Sequence, residues 1–210
     1  MDGVICHTNP FHAKAFERFF DKYNIPYTEK EFEEHMYGKH NSYIMTHFFK
    51  RVIEGTELKE LEDEKESLFR EIYQQDVVPL PDYLSFLDDL KSNGFKTAVA
   101  TSAPLANLKL IVDTLDIGGK MESLLASEDV NLHKPHPEVY LKSADKLGIQ
   151  PSECVVFEDS YSGVTAALNA GMKVVGVLSS HQKEDLPPCS LYIHDYSEIN
   201  AERVINLLKS

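Results

Sequence analysis

In the segment Val155-Val156-Phe157-Glu158-Asp159-Ser160-Tyr161-Ser162-Gly163, three apolar residues stand directly before an acidic pair. A short apolar run bounded by turn-forming residues is typical of a buried strand. An amphipathic stretch at 163–170 follows at once. The segment therefore predicts a strand, a turn that carries two carboxylates, and a helix.

The same alternation continues on both sides of this segment. The other short apolar runs, predicted as strands, lie at 97–100, 124–126, 174–177 and 191–193. The other amphipathic stretches, predicted as helices, lie at 83–91, 105–115, 138–147 and 199–208. Strands that alternate with helices of this size predict an α/β fold with a Rossmann-like parallel sheet covered on both faces.

The region from Asn9 to about Asp76 has a different, purely helical pattern. Apolar residues recur there at spacings of three and four, as in Phe16, Phe19 and Phe20. Asn9 followed by proline predicts a helix start, and Thr28 with a glutamate three residues later predicts a capping box. Further helices are expected at 42–53 and 58–75. We predict an all-helical insert at 9–77 within an α/β core made of 1–8 and 78–210.

Composition restricts the class of protein. The chain has 210 residues, 42% of them hydrophobic and 26% charged, as in ordinary folded proteins. A net charge of −13 argues against nucleic-acid binding, which needs basic clusters. Three scattered cysteines, and the lack of an apolar run of about 20 residues or a basic N-terminus, predict a cytoplasmic protein without a membrane partner. We expect a monomer or a weak dimer.

Chemically active residues follow several of the predicted strands. Asp2 ends the first strand, Thr101 follows the strand at 97–100, and the pair Glu158 and Asp159 follows the strand at 155–157, while Lys134 lies in a proline-rich loop. Ligands of parallel sheets bind beyond the carboxyl ends of the strands. Carboxylates for Mg²⁺, a lysine and a hydroxyl suit phosphoryl transfer through an aspartyl phosphate.

Each of these residues also has a simpler interpretation. Thr101 with Ser102 is a common kind of N-cap, and Glu158 with Asp159 could cap the helix that begins near Gly163. A lysine in a proline-rich loop is more often a solvated charge. Taken together, these simpler interpretations are disfavoured, because they require that all of these residues lie at the ends of strands by coincidence.

Four motifs in order resemble those of the haloacid dehalogenase superfamily, in its phosphatase and β-phosphoglucomutase-like branch with a helical cap. They are Asp2-Gly3-Val4-Ile5, Ala98-Val99-Ala100-Thr101-Ser102, Lys134-Pro135-His136-Pro137 and the segment 155–163. The resemblance covers the whole chain. It implies a Mg²⁺-dependent phosphatase that acts on a small phosphorylated metabolite.

The resemblance also implies roles for residues around the phosphate. Asp2 would be the general acid and base, and Thr101 and Lys134 would hold the phosphoryl group. Backbone amides near Ser102 and Ala103 would help to bind it.

Further roles concern the metal and the cap. Asp2 would offer its backbone carbonyl to Mg²⁺, Asp159 would be a direct ligand, and Glu158 a ligand or a support for one. In the helical insert, which would close as a cap over the site, His12 and Lys39 are candidate substrate-binding residues.

The first motif lacks its leading Asp, which in the family is the nucleophile. We expect that Asp directly before Met1, at the end of an upstream apolar strand. Without it, the 210 residues are expected to be catalytically impaired, since loss of a covalent nucleophile can cost a factor on the order of 10⁶ in turnover.

Other functions remain open. A phosphomutase needs a basic residue after the cap glycine, where Lys39 is a partial substitute for arginine. If the nucleophile is truly absent, the chain is an inactive binding protein of the same fold. A phosphorelay receiver is disfavoured because its acidic pair comes at the first strand. A zinc site at His35, His40 and His47 is disfavoured because their spacings do not give an i, i+4 pair.

Overall fold

The computed structural model describes residues 1–36 and 41–209. The chain divides into two compact units. One, the α/β unit, contains Met1–His7 and Val77–Ser210, and the other, the helical unit, contains Thr8–Asp76. In the described residues no helix is both long and apolar enough to cross a bilayer.

The helical unit packs around phenylalanine side chains. Its helices are α1 (Asn9–Lys22), α2 (Glu29–Met36), α3 (Asn41–Phe48) and α4 (Gly55–Tyr73). Phe16, Phe19 and Phe20 of α1 are buried, and the Phe20 ring lies 4.6 Å from that of Phe48. Each such side chain stabilises the folded state by about 1.5–3 kcal/mol when buried. The three-and-four spacing of the sequence thus becomes the apolar face of α1.

The helix ends differ in detail from the sequence prediction. Thr8, not Asn9, is the N-cap of α1. The backbone N–H of Glu31 donates to Thr28 Oγ1 at 3.1 Å, which confirms the Thr28 half of the capping box. The helix expected at 42–53 ends at Phe48, because the chain turns at Lys50, whose φ is 55°.

A buried ion pair lies inside the helical unit. Lys65 is only 2% exposed, and its Nζ lies 2.7 Å from Glu66 Oε1 and 4.5 Å from the centre of the Phe16 ring. Asn41 also donates to Glu66 Oε1, at 2.9 Å. Burial alone would raise the pKa of Glu66. The nearby charges of Lys65 and His12, together with these hydrogen bonds, outweigh this effect and lower the pKa to about 2.

The α/β unit contains parallel strands, as predicted. They are β1 (Ala98–Ala100), β2 (Ser123–Leu125), β3 (Val155–Glu158), β4 (Lys173–Val177) and β5 (Leu191–Ile193). One ladder joins β1 to β2, with Val99 opposite Leu124, and a second joins β3, β4 and β5 in that order. The strands correspond to the five apolar runs of the sequence, and parallel pairing places their carboxyl ends at one edge of each ladder.

Helices cover these ladders. They are α5 (Tyr83–Ser92), α6 (Leu105–Thr114), α7 (Glu138–Leu147), α8 (Tyr161–Asn169) and α9 (Ala201–Lys209). Val139 and Tyr140 of α7 join Val164 of α8 and Val174 of β4 in one buried apolar cluster. Helix α8 begins two residues before the predicted start at Gly163, because Ser160 Oγ caps it by accepting from the Gly163 N–H at 3.1 Å.

The first residues form a tight turn where the sequence predicted the end of a strand. The Met1 carbonyl accepts from the N–H of Ile5 at 2.7 Å, and the Gly3 N–H donates to the Cys6 carbonyl at 2.8 Å. The turn is held on the α/β unit by Leu80, whose N–H donates to the Ile5 carbonyl at 2.7 Å. These bonds fold the residues that follow Asp2 back on themselves as a turn.

We predict that Glu66→Gln destabilises the chain by about 3 kcal/mol at pH 7, because the buried Lys65 loses its counter-charge. The folded pKa of Glu66, about 2, lies below the usual value of 4.5. Its stabilising effect is therefore complete above about pH 4.5 and is lost as the pH falls towards 2. Urea unfolding from pH 7 to pH 3.5 measures this difference.

Glu60→Gln, on the exposed face of the same helix, is the matched control and changes stability by less than about 0.5 kcal/mol. An unfolding difference for Glu66→Gln that stays the same below pH 4.5 would contradict the ion-pair explanation.

Candidate active site

The predicted site residues of the α/β unit lie at strand ends. Thr101 follows β1 directly, and Glu158 is the last residue of β3, with Asp159 after it. Lys134, in the loop before α7, reaches both strands: its Nζ lies 2.5 Å from Glu158 Oε1 and donates to the Ala100 carbonyl at 3.3 Å. A side chain from a third segment thus joins the ends of β1 and β3.

The Lys134–Glu158 pair is buried. The two residues are 8% and 4% exposed. Burial alone would raise the pKa of Glu158, but the charge of Lys134 and of the N-terminal ammonium, together with hydrogen bonds, lower it to about 2. Glu158 is therefore ionised at neutral pH, with its charge directly compensated.

Both carboxylate oxygens of Glu158 are held in place. Tyr140 of α7 donates its hydroxyl to Oε1 at 2.5 Å, and Ser160 donates to Oε2 at 3.1 Å. The N–H of Asp159 also donates to Oε2, at 3.2 Å. Burial and the nearby carboxylate raise the pKa of Tyr140 well above its usual value, so this hydroxyl stays protonated and acts as a donor.

Sequence reasoning missed Tyr140. It lies next to Val139 on the apolar face of α7, where an aromatic residue is expected to be core packing. Only the hydroxyl distinguishes it from phenylalanine, and a buried tyrosine hydroxyl usually has a partner. That requirement was the one available signal.

Asp159 is in a different electrostatic environment from Glu158. Its pKa is raised to about 6, first by burial and then by the charges of Glu158 and Asp2, against the effect of a hydrogen bond from Ser180. Its carbonyl oxygen contacts Nδ1 of His181 at 2.9 Å. Three carboxylates, Asp2, Glu158 and Asp159, are therefore close enough to repel, and the charge of Glu158 is compensated directly by Lys134.

The backbone at Gly3 touches Asp159. Gly3 has a φ of +63°, and a Cβ at this position would lie 1.9 Å from Asp159 Oδ2. Ser179 Oγ donates to the Gly3 carbonyl from the loop after β4. The first motif is thereby held against the fourth, although some 155 residues separate them along the chain.

The end of β1 is held more simply. Thr101 is buried, its N–H donates to the Leu125 carbonyl at 2.9 Å, and its Oγ1 accepts from the Ala103 N–H at 3.1 Å. Helix α6 begins at Leu105 after Pro104, so Thr101 does not cap it. Ser102 is exposed.

The two candidate substrate-binding residues of the helical insert, His12 and Lys39, do not belong to the α/β unit. His12 belongs to the helical unit, where its ring stacks on Phe69 at 3.8 Å and its Nδ1 lies 2.9 Å from Lys65 Nζ. Lys39 lies outside the described residues, together with His40. In the same unit His35 and His47 stack on each other at 3.8 Å, and His47 contacts Glu31 at 3.0 Å.

The carboxylates near Asp159 fit a hard cation. Within residues 1–36 and 41–209 no group of three His, Cys, Asp or Glu side chains forms a ready metal cage. Mg²⁺ does not need one, since it usually binds through one or two carboxylates and keeps several waters. Asp2 and Asp159 supply oxygen donors whose mutual repulsion a cation would relieve, whereas the oxygens of Glu158 are already engaged.

Comparison with known proteins gives concordant matches. The sequence profile of the haloacid dehalogenase-like hydrolases matches residues 1–177. A phosphorylated carbohydrates phosphatase of Thermotoga maritima is 29% identical over 100% of this chain and 95% of its own. A fructose-1-phosphate phosphatase of Escherichia coli is 31% identical over 84% of this chain and 93% of its own. The crystal structure of a β-phosphoglucomutase from Clostridium difficile has a TM-score of 0.84 at 25% identity, over 99% of this chain and 94% of that one.

We predict that Gly163→Ala destabilises the protein by about 1–3 kcal/mol, because a Cβ there would lie 2.1 Å from the Glu158 carboxylate. Gly119→Ala is the matched control, since nothing lies within 4 Å of its Cβ position. Urea unfolding compares the two. Equal stability of both variants would show that the Glu158 side chain moves aside without cost.

We also predict that Lys134→Met costs about 3–5 kcal/mol at neutral pH, because it leaves the charge of Glu158 buried without its partner. Lys142→Met, which breaks a more exposed pair with Glu138, serves as the control and costs about 0–1 kcal/mol. In the double variant Lys134→Met/Glu158→Gln, much of the loss is recovered. A loss for Lys134→Met as small as that for Lys142→Met would contradict the buried-pair interpretation.

Proposed function

This chain belongs to the haloacid dehalogenase-like hydrolases, as an enzyme of their phosphatase type, and from that premise we propose that it is a Mg²⁺-dependent phosphatase of a small phosphorylated sugar. The observation that carries the proposal is the arrangement at the strand ends. There the buried ion pair with Glu158 holds the ammonium group of Lys134 beside the carboxylates of Asp2 and Asp159, which repel each other. Phosphoryl transfer requires this combination of a cation, carboxylate oxygens and a hydroxyl.

In the proposed reaction, an Asp that directly precedes Met1 attacks the phosphorus and forms an aspartyl phosphate. Asp2 gives its proton to the leaving alcohol oxygen and later takes one from the water that attacks the aspartyl phosphate. The N-terminal ammonium of Met1 is among the charges that act on Glu158 and Asp159, so a residue joined at Met1 would begin beside these carboxylates.

The remaining residues bind and orient the phosphate. Thr101 would offer its hydroxyl and Lys134 its ammonium to the phosphoryl oxygens, with the amides of Ser102 and Ala103 as further donors. In the state described, the Ala103 amide donates to Thr101 Oγ1, so it would have to exchange partners when phosphate binds.

Mg²⁺ would be held by Asp159 and by Asp2, and when bound it would neutralise charge on the transferring phosphoryl group. Glu158 would not bind the metal directly; it would hold the ammonium group of Lys134 in position. We assign the helical insert, with His12 and Lys39, to substrate selection.

A phosphomutase is the alternative function, because a β-phosphoglucomutase shares the fold of the chain. The two phosphatase relatives, at 29% and 31% identity, favour hydrolysis. Lys39, whose type separates the two activities at the sequence level, is outside the described residues.

We further propose that the enzyme works in a reducing cytoplasm, as a monomer or weak dimer. None of its three cysteines, Cys6, Cys154 and Cys189, forms a disulfide, which supports a reducing compartment. The net charge of −13 gives no support for a nucleic-acid partner.

The test is orthophosphate release from a panel of sugar phosphates by a chain extended upstream of Met1 with an apolar segment that ends in aspartate. We expect turnover with Mg²⁺ and its loss with EDTA. Asparagine in place of the added aspartate lowers turnover by at least about 1,000-fold, and Asp159→Asn by at least about 100-fold.

Asp113→Asn, an exposed carboxylate on α6, is the control and keeps full turnover. Isomerised sugar phosphate without orthophosphate would favour the mutase. Turnover that is insensitive to both EDTA and Asp159→Asn would contradict the proposal.

A further inference from the structure

The loop after β4 contacts both segments that carry the proposed metal ligands. Three consecutive residues form this β4 loop, Ser179, Ser180 and His181, and each makes one such contact. Ser179 Oγ donates to the Gly3 carbonyl, and Nδ1 of His181 lies 2.9 Å from the Asp159 carbonyl. The middle residue, Ser180, hydrogen-bonds to the side chain of Asp159. The β4 loop therefore connects the first motif to the fourth.

The direction of each hydrogen bond to Asp159 follows from the groups involved. A carbonyl oxygen can only accept, so Nδ1 of His181 carries a proton and donates to it. An ionised carboxylate can also only accept, so the Ser180 hydroxyl donates to the charged form of Asp159. The loop thus gives Asp159 two donors, one for its backbone and one for its side chain.

The backbone of Asp159 is also held by its neighbours in the chain. Its N–H donates to Glu158 Oε2 at 3.2 Å, and the next residue, Ser160, caps α8 by accepting from the Gly163 N–H at 3.1 Å. These contacts do not determine the rotation of the Asp159 carboxylate, because the terminal torsion of an aspartate has broad minima. The hydrogen bond from Ser180 to the carboxylate does determine it.

The Ser180 hydroxyl, the Asp159 carboxylate and Gly3 meet at one point. A Cβ added to Gly3 would lie 1.9 Å from Asp159 Oδ2 and 2.8 Å from Ser180 Oγ. Gly3 directly follows Asp2, the other proposed ligand. The hydroxyl that orients one ligand therefore packs against the backbone that carries the other.

We propose that the Ser180 hydroxyl is a positioning group that makes this site select Mg²⁺ over Ca²⁺. Mg²⁺ needs near-ideal octahedral geometry at about 2.0–2.1 Å, whereas Ca²⁺ accepts variable geometry at about 2.3–2.6 Å. A carboxylate held in one orientation offers a fixed oxygen position, which suits Mg²⁺. A carboxylate that rotates can still bind Ca²⁺ through one or both oxygens. The inference rests on the proposed function, since it concerns the metal of that site.

The experiment is a titration of the isotope-labelled chain with MgCl₂ and, separately, with CaCl₂, observed at the backbone amides of Gly3 and Asp159 by NMR. In Ser180→Ala we expect the Mg²⁺ affinity to fall by about 10–100-fold and the Ca²⁺ affinity by less than about 3-fold. The ratio of the two dissociation constants measures selectivity directly and does not depend on turnover.

Two further variants separate the hydroxyl from the shape of the side chain. Threonine and valine have nearly the same shape, but only threonine has a hydroxyl. Ser180→Thr should keep the selectivity within about 3-fold of that of the unaltered chain, whereas Ser180→Val should lose it as Ser180→Ala does. Any strain from the added methyl group is common to both variants, so the difference between them reports the hydroxyl alone.

Ser152→Ala is the matched control. Ser152 is exposed and lies before β3, whereas Asp159 follows the other end of that strand. This variant should leave both affinities unchanged. Urea unfolding of every variant shows whether the titrated chains are folded.

A Mg²⁺ affinity that Ser180→Ala leaves unchanged would overturn the inference. An equal loss for both cations would overturn it too, because the hydroxyl would then support the site without selecting a metal, and so would full selectivity in Ser180→Val. If the unaltered chain binds no Mg²⁺ at these amides, the metal of the proposed function is rejected together with the inference. Binding in the unaltered chain that Ser180→Ala does not weaken rejects the inference alone.

Discussion

The site depends on one buried ion pair, between Lys134 and Glu158. The lysine comes from a loop and the glutamate from the end of β3, and the same ammonium also holds the Ala100 carbonyl at the end of β1. A buried charge of either sign would be strongly destabilising alone. Each partner therefore restricts the other, and the pair fixes where three separate segments of the chain meet.

This pair also explains why two adjacent carboxylates differ. Glu158 is surrounded by donors from Lys134, Tyr140 and Ser160 and keeps its charge, with a pKa of about 2. Asp159, beside it, is buried and lies close to the negative charge of Glu158, and both effects raise its pKa to about 6. Environments that separate the pKa values of two neighbouring carboxylates in this way suit the two groups to different roles. In the function we propose, Glu158 positions Lys134 and Asp159 binds a cation.

Much of this organisation could be predicted from the sequence, because it is local. The apolar runs before Thr101 and before Glu158 located two strand ends, and the rule that ligands bind there located the candidate site. The contribution of Tyr140 was not predictable from pattern, since an aromatic residue on an apolar helix face is ordinarily core. The contacts of Gly3 with Asp159 and of Ser179 with Gly3 depend on tertiary packing. Nor does periodicity reveal that β1 and β3 do not pair, because strand order is a property of the whole sheet.

The proposed function requires that Asp2 and Asp159, beside the Lys134–Glu158 pair, bind a divalent cation. The most direct test is titration of Mg²⁺ into the isotope-labelled chain, observed at the backbone amides of Gly3, Asp159 and Ser180 by NMR. We predict saturable shifts at these amides that disappear in Asp159→Asn. Shifts spread over the acidic surface, or unchanged by Asp159→Asn, would contradict it.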